Sequence, residues 1–284
     1  MIKIGFIDYY LDEWHANNYP EMLRELSDGE CQVICAFGLI DPPAELGEEK
    51  LTNRQWAEKY GIELLPTIEE VVEKSDCLVV LSPDNPEMHE ELARIPLESG
   101  KLTYIDKTFA PDKATAQRIF DVAHAHNTPC FSTSSLRFCT ELDGVDTDSI
   151  CKIYSEGPGT LEVYAVHMIE PIVRLMKCAP RRVMALDKNK LHPSYLVEFE
   201  DGRLAQIHHR RFRGSPYRLT LMDKDNRATF VNLESDYFRL FIAALVEFFR
   251  TGISPVPHED TVGVMGAIDA AVRGCETPYQ WIEI

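Results

Sequence analysis

The sequence predicts an α/β protein, with a doubly wound parallel sheet followed by an α+β domain whose sheet is mostly antiparallel. Up to about residue 135, short apolar runs alternate with helical patterns. From about residue 140, polar and apolar residues alternate on either side of turn residues. Since domains usually hold about 100 to 200 residues, the 284 residues predict two domains, 1–135 and 136–284.

The first half contains apolar runs short enough to be buried strands. They are IKIGFI (2–7), CQVICAFG (31–38), CLVVLS (77–82), LTYID (102–106) and PCFS (129–132). Continuous apolar strands separated by helices are typical of a parallel sheet covered on both faces. The tripeptide Asn18-Tyr19-Pro20 predicts a helix start, because proline is favoured in a first turn. This half is therefore predicted to be a Rossmann-like domain.

The second half carries hairpin signals. YLVEFEDGRLAQIHHRRF alternates about Asp201-Gly202, a pair that tolerates the positive φ angles of a tight turn. YRLTLMDKDNRATFVNL repeats the pattern with a turn at 224–226, and the helical segments YFRLFIAALVEFFRTG and DTVGVMGAIDAAVRG each end in glycine. Helices packed against a largely antiparallel sheet are the predicted arrangement.

Charge and cysteine usage exclude several classes of protein. The net charge of −17 argues against a general binder of nucleic acid or anionic membranes, because the summed field repels phosphate. The eight cysteines lack the spacing of a zinc site, so we expect reduced core cysteines and no metal. Without a signal-like opening or an apolar run of about 18 residues, a cytoplasmic protein is expected.

One basic cluster stands out, formed by His208, His209, Arg210, Arg211 and Arg213. Neighbours in a strand face opposite sides of the sheet, so the adjacent histidines cannot easily share one metal. One face could meet an acidic substrate or a partner subunit. We favour a charged, solvated face that offsets nearby acid.

Lys107 is the first candidate for chemistry. It follows Asp106 at the end of a predicted strand, and open α/β sheets bind ligands outside the carboxyl ends of their strands. A lysine there could bind a substrate hydroxyl, stabilise a developing alkoxide or relay a proton. The alternative is an exposed lysine paired with Asp106 or with a neighbouring glutamate.

Polar residues also follow the strand that ends near residue 82. Ser82, Asp84 and Asn85 precede a helix beginning near Pro86, whose unpaired backbone N–H groups favour an anion or a ribose. The alternative is that Asn85 only caps the helix.

His167 is the candidate in the second half. Tyr164 and Glu170 lie three residues away on either side, so in a continuous helix they share its face. A histidine with a carboxylate partner is a suitable proton acceptor, since its ordinary pKa is about 6.5. A purely structural histidine is the alternative.

The stretch DCLVVLSPDNPEMHEELARIPLESGKLTYIDKTFA resembles the region from the third Rossmann strand to the Glu-Lys-Pro motif of the Gfo/Idh/MocA family of sugar and cyclitol oxidoreductases, and the resemblance extends over essentially the whole chain. It implies that Lys107 contacts substrate and nicotinamide and that His167 is the acid/base.

The resemblance further implies NAD or NADP as cofactor and a homo-oligomer formed through the C-terminal sheet. Tyr164 and Arg137 are then predicted to bind the substrate. The predicted cofactor contacts are Asp8, Tyr10, Ser82, Pro83, Asn85, His89, Asp106 and Lys107.

The chain departs from the family pattern at the nucleotide loop. Asp8, Tyr10 and Glu13 stand where the family has the glycines that let the backbone approach a pyrophosphate. Asp8, Asp12 and Glu13 also bring negative charge to a site for an anion. At the end of the second strand, Phe37 or Gly38 replaces the usual ribose-binding acid.

The function implied is an NAD(P)-dependent oxidoreductase acting on a hydroxyl or keto group of a sugar-like or cyclitol substrate. His167, oriented by Glu170, exchanges the hydroxyl proton while Lys107 holds the same oxygen. One alternative is a non-catalytic member that has lost dinucleotide binding and serves as a small-ligand binder or partner subunit. Another keeps catalysis with a differently posed or tightly held cofactor.

Overall fold

The computed structural model describes residues 1–47, 49–212 and 214–284, so Arg213 of the basic cluster lies outside the described residues. The chain divides into two compact units. Unit 1 comprises Met1–Phe109, Gln117–Ser132 and Ile242–Val256. Unit 2 comprises Ala110–Ala116, Thr133–Phe241 and Pro257–Ile284.

The first part of the chain forms a six-stranded sheet with the strand order β3-β2-β1-β4-β5-β6, in which all pairs are parallel. The strands are β1 Ile2–Asp8, β2 Cys31–Gly38, β3 Glu63–Leu64, β4 Cys77–Val80, β5 Leu102–Ile105 and β6 Cys130–Phe131. The helices are α1 Trp14–Leu26, α2 Asn53–Tyr60, α3 Ile68–Lys74, α4 His89–Glu98 and α5 Lys113–Ala125. The predicted Rossmann-like sheet is confirmed; β3, two exposed residues without an apolar run, was not predicted.

The centre of this sheet is buried on both faces. Ile4 and Phe6 in β1 and Leu78 in β4 have no exposed surface. A Cβ atom added at Gly5 would lie 2.4 Å from Ser75 Oγ and from Val71 Cγ1, so the glycine is needed for α3 to approach β1. Apolar side chains on successive positions of β1 and β4 therefore meet protein on either side, as in other parallel sheets.

Helix α1 begins earlier than the proline signal indicated. It starts at Trp14 with Glu13 as its N-cap, and Pro20 lies inside the helix. The start predicted at Pro20 is therefore wrong. The Glu13 carboxylate satisfies the first backbone N–H groups of the helix, which a cap at this position must do.

The second part of the chain forms a seven-stranded sheet with the order β12-β11-β7-β10-β9-β8-β13, antiparallel except for the β7–β10 pair. The strands are β7 Ile150–Pro158, β8 Pro180–Ala185, β9 Ser194–Phe199, β10 Leu204–Arg210, β11 Arg218–Asp223, β12 Ala228–Asn232 and β13 Ile282–Glu283. The helices are α6 Leu161–Met176, α7 Tyr237–Thr251 and α8 His258–Gly274. The mostly antiparallel sheet is confirmed.

Both predicted hairpin turns are present. Gly202 connects β9 and β10 with φ of 84°, and Asn226 connects β11 and β12 with φ of 65°. In unit 2, α6 packs against α8, β7 and β10, and α8 packs against β8. Of the two glycine-closed helices, α8 packs on the sheet of unit 2 as predicted, whereas α7 from Ile242 onwards belongs to unit 1. The prediction that α7 belongs with the second sheet is therefore wrong for most of that helix.

All eight cysteines are free thiols. Within the described ranges, no helix combines the length and the apolar character needed to cross a membrane.

Candidate functional site

Lys107 lies at the carboxyl end of the parallel sheet in unit 1. The segment is fixed by the backbone N–H of Asp106, which donates to Val80 O at 2.8 Å. Lys107 is 9% exposed, and its Nζ donates to Pro83 O at 3.0 Å. Since a lysine ammonium has three protons, this contact leaves the group able to donate to a ligand oxygen as well.

A buried ion pair joins α1 to the end of β5. His15 Nδ1 lies 2.6 Å from Asp106 Oδ2, and the Tyr104 hydroxyl donates to Asp106 Oδ1 at 3.0 Å. Burial alone would raise the pKa of Asp106, but the charge and hydrogen bond of His15 and the charge of Lys107 lower it to about 2. Asp106 is therefore ionised. Its partner His15 was not predicted from the sequence.

The protonation of His15 follows from the same pair. Burial alone would lower the pKa of His15, but the charges of Asp106 and Glu13 outweigh this effect and raise the pKa. The ring is therefore held in the charged form that its ion pair with Asp106 requires.

The amino end of α1 is occupied by Glu13. Its carboxylate accepts the His15 backbone N–H at 2.7 Å and also the N–H of Ala16, while the side chain is buried. Burial raises the pKa of Glu13, although the His15 charge and the two backbone hydrogen bonds oppose the rise.

Asp8, at the end of β1, is a second buried carboxyl. Its Oδ1 accepts the Tyr9 N–H at 2.7 Å, whereas its Oδ2 is buried without a hydrogen-bond partner among the described residues. Burial, and next the charge of Glu13, raise the pKa of Asp8 well above its ordinary value. This shift favours the protonated form of Asp8 in the fold.

The loop between β1 and α1 is held by Asn53. Its Oδ1 accepts the Leu11 N–H at 2.9 Å, and its Nδ2 donates to Ile40 O at 2.7 Å. A Cβ at Gly38 would lie 2.4 Å from Asn53 Nδ2, so this side chain also covers the end of β2.

The same loop buries Asp12 and Tyr10. Asp12 Oδ2 accepts the Leu51 N–H at 2.8 Å, and Lys50 Nζ donates to Asp12 O at 2.7 Å. Tyr10 is 9% exposed, and burial, followed by the charge of Asp84, raises its pKa to about 12. Side chains thus fill the loop where a glycine-rich turn would leave bare backbone.

The turn after β4 lies beside Lys107. Ser82 adopts a φ of 97°, and its hydroxyl donates to Asn85 O at 3.0 Å. The Asn85 side chain donates to Glu87 Oε1 at 3.1 Å and does not cap the short 3₁₀ turn Pro86–Met88. The predicted capping role of Asn85 is therefore corrected to a turn contact.

The buried ring of His89 bonds to two backbone carbonyl groups. The ring has no exposed surface, and its nitrogens lie 2.9 Å from Leu81 O and 3.1 Å from Phe109 O. Burial lowers the pKa of His89, although the Asp106 charge and the two backbone hydrogen bonds oppose the shift. His89 therefore connects the loops after β4 and β5, and its predicted contact with a cofactor stays a prediction.

In unit 2, His167 is paired with a serine. Its Nδ1 lies 2.8 Å from Ser134 Oγ, and Ser134 is fully buried. Ser134 Oγ also accepts the Leu136 N–H at 3.2 Å. The rings of Tyr164 and Tyr217 meet His167 edge-on, with centroids 5.7 and 5.8 Å away.

Glu170 has partners other than His167. It is 1% exposed and accepts from Thr133 Oγ1 at 3.0 Å and from Arg137 at 3.1 Å. Arg137 also donates to Asp260 Oδ2 at 2.7 Å. Glu170 thus bonds to Thr133 and Arg137, while Ser134, which was not predicted, bonds to the His167 ring. The orientation of His167 by Glu170 stays a prediction.

Two residues of the basic cluster, His209 and Arg210, have partners within unit 2. His209 is 1% exposed, with Nδ1 3.1 Å from Gly159 O and Nε2 3.2 Å from the Tyr195 hydroxyl. Burial lowers its pKa to about 4. Arg210 forms an ion pair with Glu156. In the described ranges, no group of three His, Cys, Asp or Glu side chains could hold a metal ion.

Solved structures share this fold. GenD2 from gentamicin A biosynthesis, in complex with NAD, matches with a TM-score of 0.78 at 13% identity, over 100% of this chain and 96% of that one. A putative myo-inositol dehydrogenase from Sinorhizobium meliloti matches with a TM-score of 0.75 at 14% identity, over 100% of both chains.

The UDP-N-acetylglucosamine 3-dehydrogenase GnnA from Acidithiobacillus ferrooxidans matches with a TM-score of 0.73 at 12% identity, over 96% of this chain and 99% of that one. No family model and no curated protein matches the sequence. At these identities the likeness is one of fold, and the fold is that of the Gfo/Idh/MocA-type dehydrogenases, as the sequence resemblance implied.

A dinucleotide in the usual Rossmann pose does not fit the described residues. That pose places the pyrophosphate against the amino end of the helix after the first strand. In this chain the His15 and Ala16 amides are bonded to Glu13, and Asn53 covers the end of β2.

The protonated state of Asp8 makes stability depend on pH. The pKa of an unfolded aspartate is about 3.9, and the folded pKa is raised well above it. The stability from the bound proton is therefore present below about pH 4 and lost as pH rises through the folded pKa. Asp8→Asn keeps an oxygen that accepts the Tyr9 N–H. Because asparagine does not titrate, this variant does not lose that stability as pH rises.

We expect the free energy of unfolding of Asp8→Asn, relative to the native chain, to rise between about pH 4 and pH 8 by at least about 1 kcal/mol, since one unit of pKa shift equals about 1.4 kcal/mol. Urea titrations across this range measure it, with the exposed Asp84→Asn as control. A difference that stays constant with pH would contradict a neutral Asp8.

Proposed function

We propose that the chain is an oxidoreductase of the Gfo/Idh/MocA family that acts on a hydroxyl or keto group of a sugar-like or cyclitol substrate. The observation that carries the proposal is the position of Lys107, a buried ammonium at the carboxyl edge of a parallel sheet. The fold shared with proteins titled as dehydrogenases of sugars and cyclitols supports the same reaction class.

NAD or NADP is the proposed cofactor, in line with the NAD complex and the NADPH-dependent oxidoreductase named among the structural neighbours. A bound nicotinamide would supply hydride transfer. Since the usual pyrophosphate position is taken by Glu13, the cofactor must be posed differently or must displace that side chain.

Lys107 is proposed to bind and polarise the reacting oxygen. Pro83 O fixes the ammonium from one side, and the remaining protons can donate to a substrate hydroxyl or carbonyl. Positive charge held in place before the reaction stabilises negative charge that develops on that oxygen. Asp106, which directly precedes Lys107, is close enough for the Lys107 charge to lower its pKa.

His167 is proposed to exchange the proton of the reacting hydroxyl. For Nε2 to accept a proton, Nδ1–H must donate to Ser134 Oγ, and the contact with the serine orients the ring for this role. Tyr164 and Tyr217 restrict rotation of the ring from two sides. Arg137, fixed by Glu170 and Asp260, and Tyr164 remain the proposed substrate contacts.

The proposed surroundings are the reducing cytoplasm and a homo-oligomer formed through the sheet of unit 2. Eight free thiols suit a reducing compartment. Phe230, on the edge strand β12, is 81% exposed and offers an apolar contact to a second copy.

Lys107→Met tests the proposed function. With NAD or NADP and a panel of cyclitols and aldoses that includes myo-inositol, we expect kcat/KM to fall by about 10²- to 10⁴-fold, the usual worth of a group that handles the reacting proton or charge. Absorbance of the reduced nicotinamide follows turnover, and circular dichroism checks the fold. Lys3→Met, exposed near the start of β1, is the matched control. Full activity of Lys107→Met would overturn the assignment.

Ser134→Ala tests the positioning of His167. We expect kcat to fall by about tenfold or more with a smaller change in KM, and the histidine limb of the pH–rate profile to move, because the ring loses its Nδ1 partner. The neighbouring Ser135→Ala removes a buried hydroxyl from the same turn and serves as control. An unmoved pH profile, with kcat lowered only as far as stability is lowered, would leave Ser134 a structural residue.

A further inference from the structure

We infer that the Glu13 carboxylate is an internal anion occupying the phosphate position of unit 1, and that it sets the affinity of this chain for ligands that carry a pyrophosphate. This inference concerns the cofactor end of the site and rests on the proposed function for its biological meaning. Its physical content is a competition between one side chain and a ligand phosphate for the same backbone amides.

The geometry supplies the first argument. Helix α1 is a 13-residue helix that follows β1. The first amides of such a helix, with the helix dipole, attract anions. The Glu13 carboxylate bonds to two of them, His15 N and Ala16 N. A phosphate needs those donors and cannot share them with a carboxylate already in place.

Charge supplies the second argument. Glu13 is 6% exposed and lies in the field of ionised Asp106. His15 is the cation that Glu13 and Asp106 share. Adding a dianionic pyrophosphate beside these carboxylates would leave buried charge uncompensated.

The surrounding loop supplies the third argument. Asn53 holds the loop backbone at Leu11, and Asp12 holds it through Leu51 N. Neither contact involves the Glu13 side chain. Changing that single side chain is therefore expected to free the amides while the loop keeps its shape.

The test is calorimetric titration of NADH and of inorganic pyrophosphate into the native chain, Glu13→Gly and Glu13→Gln. Glycine is an acceptable N-cap, and it frees both amides. Glutamine keeps the shape and one acceptor without the charge. Glu21→Gln, an exposed acid on the same helix, is the control.

We expect Glu13→Gly to bind NADH and pyrophosphate at least about tenfold more tightly than the native chain, as for recovery of one charge-assisted hydrogen bond. Glu13→Gln should fall between the two, and Glu21→Gln should stay within about twofold of native. Equal or weaker binding by Glu13→Gly and Glu13→Gln, each folded by circular dichroism, would overturn the inference.

Failure of this inference is distinct from failure of the proposed function. Binding of pyrophosphate and NADH is read without turnover, so a chain that turns over no sugar can still gain affinity on loss of Glu13. Conversely, native turnover with unchanged affinity in Glu13→Gly would overturn the role of Glu13 alone.

Discussion

The ion pair between His15 and Asp106, 2.6 Å apart and buried, is the interaction on which the carboxyl edge of the unit 1 sheet depends. Asp106 alone at the end of β5 would be a buried charge without compensation, and His15 supplies the compensation from α1. The pair keeps Asp106 ionised beside Lys107, and it fixes the start of α1, where Glu13 caps the helix. The end of β5, the start of α1 and Lys107 are therefore linked through the charges of Asp106 and His15.

Because of these charges, the chain has a Rossmann fold without the open phosphate position that this fold usually provides. A Rossmann sheet normally leaves the helix after its first strand open for a phosphate. Here the same helix end is filled by a side chain of the chain itself, while the lysine end of the sheet edge keeps donors for a ligand. The two ends of this sheet edge therefore differ. At Lys107, ammonium protons can still donate to a ligand oxygen. At the start of α1, the backbone N–H groups already donate to Glu13.

The sequence was sufficient for the fold class because five strands of the parallel sheet are apolar runs and four strands of the second sheet flank the turns at Asp201-Gly202 and 224–226. The short strand β3 carries no such pattern. The sequence also placed Lys107, since a strand end is visible in sequence. It could not place His15, Ser134 or the partners of Glu170. Those contacts join residues far apart along the chain, as Asp106 to His15 and Ser134 to His167 do. The start of α1 was also predicted wrongly, at Pro20, because a glutamate that caps a helix gives a weaker local signal than a proline.

The central claim is that the buried carboxyl groups at the carboxyl edge of the unit 1 sheet are compensated by other groups of the chain. Its most direct test is an NMR titration of the side-chain carboxyl carbons of Asp8 and Asp106 in the native chain, from about pH 2 to pH 8. The account predicts that Asp106 titrates near pH 2 and that Asp8 stays protonated well above the ordinary pKa of an aspartate, about 3.9. If both carboxyls titrated near that ordinary value, the edge would be open to water, and the account of a closed, internally paired helix end would be contradicted.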